Sequence, residues 1–214
     1  MTLDWPADCL SGALVTALEP GDTSLSDAQF DSVYEARIRD LSEQHWTPVG
    51  VAARAAKILT MAGATRILDV GSGVGKFCIV GALVTDAEFV GLERRGDLVE
   101  IARGAAAHHR ARRVTFEHAT LETFLFAGFN GIYLYNPFFE QVSPFYCAQI
   151  DGTTERSRSV YARFLRATKE KLAALASRVM VVTYHGFGGR MPPEYSLIGD
   201  EPAGNDRLEL WIKG

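Results

Sequence analysis

The chain has 214 residues, 47% of them hydrophobic, and its 22 basic and 26 acidic side chains give a formal net charge of −4. That length fits one compact domain, and the charge offers no global positive field, which disfavours bulk nucleic acid as a partner. Cys9, Cys78 and Cys147 lack any CxxC or Cys/His spacing, so neither a disulfide framework nor a metal site is suggested.

Residues 1–25, with Pro6, Gly12, Pro20 and Gly21, show no sustained period and read as a loosely docked leader. Its apolar stretch LSGALVTAL is too short to span a bilayer, and Asp4 and Asp8 stand where a signal peptide carries positive charge, so a cytoplasmic location with no membrane anchor is expected. A single domain is then expected over 26–214, with N-terminal helices in 26–62 and an α/β core in 63–214.

Ser26 followed by Gln29 is a capping box, and Phe30, Val33, Tyr34, Ile38 and Leu41 share one helical face, which predicts a helix over 27–43. In HWTPVGVAARAAKILTMAG, Thr47 reads as an N-cap, Pro48 as the first helical residue, and Gly63 follows the end. Strands are then predicted at 66–70, 87–92, 113–118, 131–135 and 178–183. Helices are predicted near 75–84, 97–108 (with an Asp97/Glu100 capping box) and 154–175. Such alternation implies a parallel sheet with helices on both faces. YSLI and LELWIK, joined by a Gly/Asn/Asp turn with no helix between, predict a hairpin at the sheet edge. The fold class is therefore α/β, a doubly wound and mostly parallel sheet with an antiparallel C-terminal hairpin strand. The basic cluster HHRARR, 108–113, reads as a solvated helix terminus.

The segment ILDVGSGVGKF, 67–77, falls at the first strand-to-helix turn, where open α/β sheets place their ligands. A phosphate loop needs GxxxxGK and then Ser or Thr; Gly71 to Gly75 is one residue short, and Phe77 carries no hydroxyl. The dinucleotide fingerprint GxGxxG would put its third glycine at Lys76 or Cys78. What remains is an acidic residue followed by GxGxG: Asp69, Gly71, Gly73 and Gly75, with Ser72 inside the loop. This resembles motif I of the class I S-adenosylmethionine-dependent methyltransferases, from about Trp46 to the end of the chain.

The resemblance implies a seven-stranded sheet and S-adenosylmethionine as cofactor. It implies further that the glycine turn lies against the cofactor's methionine and ribose, and that Asp69 faces its ammonium group. Glu93, ending the strand EFVGLE, matches the acidic residue that accepts the ribose hydroxyls. Thr120 stands where the family usually has an Asp that reaches the adenine. Lys76 is expected on the first-turn surface of the helix.

GIYLYNPFFE resembles the [N/D]PP[Y/F] tetrapeptide of amino-group methyltransferases, with Asn136, Pro137, Phe138 and Phe139, Phe138 replacing the second proline. The resemblance implies that Asn136 accepts hydrogen bonds from the target nitrogen and that an aromatic stacks on a planar target. Thr47 and Pro48 resemble the (F/Y)TP segment that encloses the methionine moiety. His185, after the fifth strand in VVTYHGFGGRMPP, is a candidate proton acceptor or pocket-wall residue, the alternative being a hydrogen-bonded structural role. The expected reaction is methyl transfer to a nitrogen of a small molecule or protein side chain. Two alternatives are a small-molecule O-methyltransferase and a non-catalytic module that binds the cofactor to regulate.

Overall fold

The computed structural model of the chain describes residues 25–142, 150 and 157–214. The expected leader therefore lies outside the described residues apart from Leu25, as do Cys9 and Cys147. The elements run α1 (Asp27–Asp31), α2 (Ala36–Arg39), α3 (Ser42–His45), α4 (Val49–Met61), β1 (Arg66–Val70), α5 (Lys76–Val84), β2 (Glu88–Glu93), α6 (Gly96–His108), β3 (Val114–His118) and β4 (Gly131–Tyr135). A 3₁₀ turn (Phe139–Gln141), α7 (Arg158–Ala173), β5 (Met180–Tyr184), β6 (Tyr195–Ala203) and β7 (Asp206–Lys213) follow.

The seven strands form one sheet in the order β3-β2-β1-β4-β5-β7-β6. β1 pairs in parallel with β2 and β4, so that Asp69 lies between Gly91 and Tyr133 near the carboxyl ends. Strand order reverses at β1, which makes the β1–α5 turn the crevice of the fold. β7 is antiparallel to β5, with Tyr184 opposite Leu208. That register returns the β6–β7 turn to the end of the sheet where the parallel strands finish.

Alternation along the strands supplies two cores. Ile67, Phe89 and Tyr133 face the side covered by α4, α5 and α6, where Leu59, Phe77 and Leu98 are fully buried. Leu68, Val90 and Leu134 face the other side, where Leu172 of α7 packs.

Three expectations fail locally. The predicted 27–43 helix is broken into α1, α2 and α3, although its Ser26/Gln29 capping box forms. Its apolar periodicity is real, but tertiary contacts override propensity: Asp31 and Ser42 turn toward Lys76, and the Tyr34 hydroxyl donates to the Val74 carbonyl at 3.2 Å. Thr47 does not cap α4. Pro48 holds the cap position without a side-chain bond, and Asp27 of α1 accepts the Val49 N–H at 2.9 Å instead. Asp97 lies within the first turn of α6, after an uncapped Arg95, so the expected capping box is absent there.

Candidate active site

The glycine loop is held by its own backbone. The N–H groups of Gly71 and Ser72 both donate to the Leu92 carbonyl, at 2.9 and 3.0 Å, and Gly75 N–H donates to Ser72 at 2.8 Å. Gly73 N–H donates to Glu93 Oε2 at 3.1 Å. A phosphate loop directs such groups at its ligand; here they are occupied, one of them by a carboxylate that would repel a phosphate. The loop is therefore built for something other than an anion. Glycine at 73 is obligatory on two counts. Its φ is +54°, and a Cβ would lie 2.5 Å from the ring of Trp46, so only a bare backbone lets Trp46 close over the turn.

Lys76, expected on the surface, is 2% exposed. Its ammonium lies 2.6 Å from Asp27 and 2.9 Å from Asp31, with Ser42 Oγ at 3.2 Å. The placement follows from burial: the N-terminal layer folds over the start of α5, and a lysine there must find counter-charges. Lys76 thus fastens α1 and α3 to the glycine loop.

Asp69 is 5% exposed, and its Oδ2 accepts from the Cys78 thiol at 3.5 Å. Burial pushes its carboxyl up to about 7, against the lowering effect of the Cys78 hydrogen bond and with a further upward push from the charge of Glu93. A buried carboxylate of this kind favours an added cation.

Glu93 is 4% exposed and well occupied. Besides Gly73 N–H, it accepts the backbone N–H and the Nε of Arg95, at 2.9 and 3.2 Å. A carboxylate has about four acceptor positions, so one remains, and a second opens if Arg95 Nε moves away. Arg95 also reaches Glu140 at 3.1 Å. Together Gly71, Arg95, Pro137 and Glu140 form the wall shared by two cavities.

The first cavity, about 290 Å³, is lined by Glu93, Thr120, Leu121 and Phe138. The second, about 460 Å³, is lined by Trp46, Gly73, Tyr135, Asn136, Phe139 and His185, among others. Asn136 heads the second cavity in a left-handed conformation, φ 34°, with its N–H donating to Gly186 at 2.8 Å. Its Oδ1 is buried and has no hydrogen-bond partner among the described residues.

His185 also has positive φ, 55°. Its Nδ1 lies 2.6 Å from Asp206 and its Nε2 lies 3.1 Å from Asn205 Oδ1. Both ring nitrogens therefore face acceptors on the β6–β7 turn rather than the cavity.

The sequence-predicted residues separate accordingly. Glu93 and Thr120 share the first cavity, and Gly73, Asn136, Phe139 and His185 share the second, with Gly71 and Pro137 between them. Phe138 points away from Asn136 into the core, its ring 5.2 Å from that of Phe164 on α7. Asp69, Ser72, Gly75, Thr47 and Pro48 line neither cavity. Ser72 packs where a Cβ on Gly91 would fall, and Thr47 Oγ1 meets the Tyr133 hydroxyl at 2.9 Å. Trp46, Arg95, Glu140 and Asn205 escape sequence reasoning. Only the turn around Asn205 left a signal, and that signal spoke of chain reversal alone.

Residues 62–136, from the end of α4 through Asn136, match the family model described as "Methyltransferase domain". The match covers the glycine loop, Glu93 and the strand that delivers Asn136, on a seven-stranded sheet of the expected topology. These residues of the chain form a methyltransferase domain. No curated protein matches this sequence. Among solved structures, this methyltransferase resembles an RNA methyltransferase from Salinibacter ruber crystallised with S-adenosyl-L-homocysteine. The TM-score is 0.53 at 20% identity, over 78% of this chain and 92% of that one. It also resembles TrmN from Thermus thermophilus, at TM-score 0.57 and 18% identity, over 83% of this chain but 52% of that longer one. An O-methyltransferase from Bacillus cereus, again with S-adenosyl-L-homocysteine, superposes at TM-score 0.57 and 14% identity over 90% of this chain and 94% of its own. At these identities the likeness is one of fold. Among the described residues of this methyltransferase, no cluster of His, Cys, Asp or Glu could hold a metal ion, and no helix is long and apolar enough to cross a membrane.

Proposed function

We propose that this methyltransferase uses S-adenosylmethionine to methylate a nitrogen of a planar acceptor held at Asn136. The observation that carries this reading is the buried Asn136 oxygen without a partner. An unsatisfied buried carbonyl costs about 1–3 kcal/mol, and a left-handed non-glycine residue adds strain, so such an atom is kept for a function that fills it. An acceptor NH2 supplies the missing donor. A hydroxyl could donate the same hydrogen bond and keep a lone pair free, so the choice of nitrogen over oxygen rests on the likeness of residues 136–139 to the amino-methyltransferase tetrapeptide.

The residues fit the cofactor. Asp69, buried behind the turn, would supply a negative charge toward its ammonium group, Gly71 and Gly73 bring bare backbone to the second cavity, Glu93 would accept from the ribose, and Thr120 lies in the cavity suited to the adenine. When bound, S-adenosylmethionine supplies an electrophilic methyl group on a sulfonium.

The chain's own part is then positional. Asn136 holds one N–H and turns the nitrogen lone pair toward the donor side, while Tyr135 and Phe139 exclude water and take the planar face of the acceptor. Alignment of this kind accounts for much of the rate in reactions between activated partners. His185, with both ring nitrogens turned to Asp206 and Asn205, shapes the wall rather than removing a proton.

The test is transfer of labelled methyl from S-adenosylmethionine into separate peptide, RNA and metabolite pools, with the methylated atom resolved by mass spectrometry. Label on nitrogen that disappears with Asn136→Ala supports the reading. Label confined to oxygen, or transfer indifferent to Asn136, removes it.

A further inference from the structure

Asn205 stands in the β6–β7 turn, which the antiparallel register carries back to the mouth of the second cavity. Three contacts hold it, one through its backbone and two through its side-chain oxygen. The Tyr184 hydroxyl accepts the Asn205 backbone N–H at 3.3 Å, so its single proton goes to Asn205 Oδ1, 2.6 Å away. His185 Nε2 approaches the same oxygen at 3.1 Å, and the imidazole is in turn anchored by Asp206. The Tyr184 hydrogen bond orients the amide, and His185 Nε2 fills the second lone pair of the oxygen when both ring nitrogens carry protons, the form in which Nδ1 also donates to Asp206. Its Nδ2 has no partner among the described residues, and Asn205 is exposed where it lines the cavity. The turn reaches this position because residue 204 is glycine. Its φ is +55°, and a Cβ there would fall 2.6 Å from the Tyr184 oxygen.

The cavity is therefore lined by two amide residues of opposite unpartnered polarity, Asn136 with its buried oxygen and Asn205 with its amino group. Of the charged side chains that line it, Arg95 lies between Glu93 and Glu140 and His185 lies against Asp206, while Glu43 is exposed. Beside the two amides, the rings of Trp46, Tyr135 and Phe139 are there to take a planar group.

We propose that Asn205 is a specificity residue for the acceptor, donating from Nδ2 to a ring nitrogen or carbonyl that lies next to the nitrogen received by Asn136. The preferred substrate is then a planar amine or amide with an adjacent hydrogen-bond acceptor. The inference rests on the nitrogen-transfer reading above, and it adds what the second half of the cavity recognises.

Aniline and 2-aminopyridine test it, because they differ by one ring CH against one ring nitrogen next to the amine. Labelled methyl transfer is measured in mildly alkaline buffer, where both amines are neutral. The wild-type protein should favour 2-aminopyridine about tenfold in kcat/KM, the effect of one added hydrogen bond. Asn205→Asp keeps an oxygen for Tyr184 and His185 but removes the donor, and Asn205→Ala removes both. Each should erase the preference by raising KM for 2-aminopyridine, with kcat and the affinity for S-adenosylhomocysteine held. An unchanged melting temperature in Asn205→Asp separates this from a folding defect. Equal use of the two amines by the wild type, a preference that survives both substitutions, or inertness of both amines while the pools above carry N-methyl label would each overturn the role of Asn205. Label found on oxygen alone in those pools would instead remove the nitrogen-transfer reading beneath it.

Discussion

The glycine loop and the Asn136 pocket lie on either side of the Gly71–Pro137 contact, yet they treat their polar groups in opposite ways. Around the loop, the backbone N–H groups of Gly71, Ser72, Gly73 and Gly75 and the ammonium of Lys76 are matched by buried partners, the Ser72 hydroxyl being the exception. Around Asn136, the side-chain oxygen is orphaned, two non-glycine residues hold positive φ, and Phe139 remains 39% exposed. The backbone and the charges of the first region are complete before any ligand arrives. The second is completed only by what binds, which separates the scaffold of the site from the part that selects a substrate.

The loop side should therefore break by loss of stability. Lys76→Met keeps the length of the side chain but leaves Asp31, which is 4% exposed, buried without its nearby cation. Removing one partner of a buried ion pair costs about 3–5 kcal/mol. Denaturant unfolding should show a loss of that size, and Asp31→Asn in the same background should recover part of it. A loss below about 1 kcal/mol would mean that the N-terminal layer is fastened by its apolar contacts alone.

The acceptor side should break the other way. Asn136→Gly removes the unsatisfied oxygen and relieves the left-handed backbone, so stability should rise by up to about 1 kcal/mol. Methyl transfer should meanwhile fall about 10²–10³-fold, the usual effect of deleting one positioned hydrogen-bonding group. The affinity for S-adenosylhomocysteine, measured by calorimetry, should stay within about twofold, since that hydrogen bond belongs to the acceptor. A joint loss of stability and cofactor affinity would place Asn136 in the scaffold and erase the contrast.

The same contrast explains what could be read in advance. Strand and helix periodicities, the glycine spacing and the edge hairpin are local patterns, and they gave the sheet, its parallel core and the turn that opens the site. Lys76 was misplaced because local sequence cannot say that α1 and α3 fold over the start of α5; its counter-charges lie 45 and 49 residues upstream. The 27–43 helix failed for the same reason, its polar side chains being claimed by that lysine. Phe138 and Phe139 look alike in NPFF, but the 3₁₀ turn sends one into the core against Phe164 and leaves the other at the cavity. Asn205 was legible only as a turn residue, because its place beside Asn136 depends on the register of β5 with β7.

Asp69 sharpens the comparison from the loop side, since it is the ionisable group there that a cation can still complete. Its carboxyl, pushed up to about 7 by burial, titrates well above the ordinary carboxylate range. Between about pH 4 and 7 the folded chain thus holds a proton that the unfolded chain has released, and the stabilisation is lost as pH rises through the folded value. Unfolding free energy in the absence of cofactor should therefore decline over that interval, and Asp69→Asn should remove this part of the slope. Cofactor binding should run in the opposite direction. An ammonium at Asp69 requires the carboxylate, so affinity for S-adenosylhomocysteine should climb by up to about tenfold per pH unit below 7 and level off above it. Calorimetry in buffers of different ionisation enthalpy should detect the released proton. If the affinity were flat across this range in the wild type and in Asp69→Asn alike, the ammonium would have to be held elsewhere, and Asp69 would join Ser72 as a buried support of the turn.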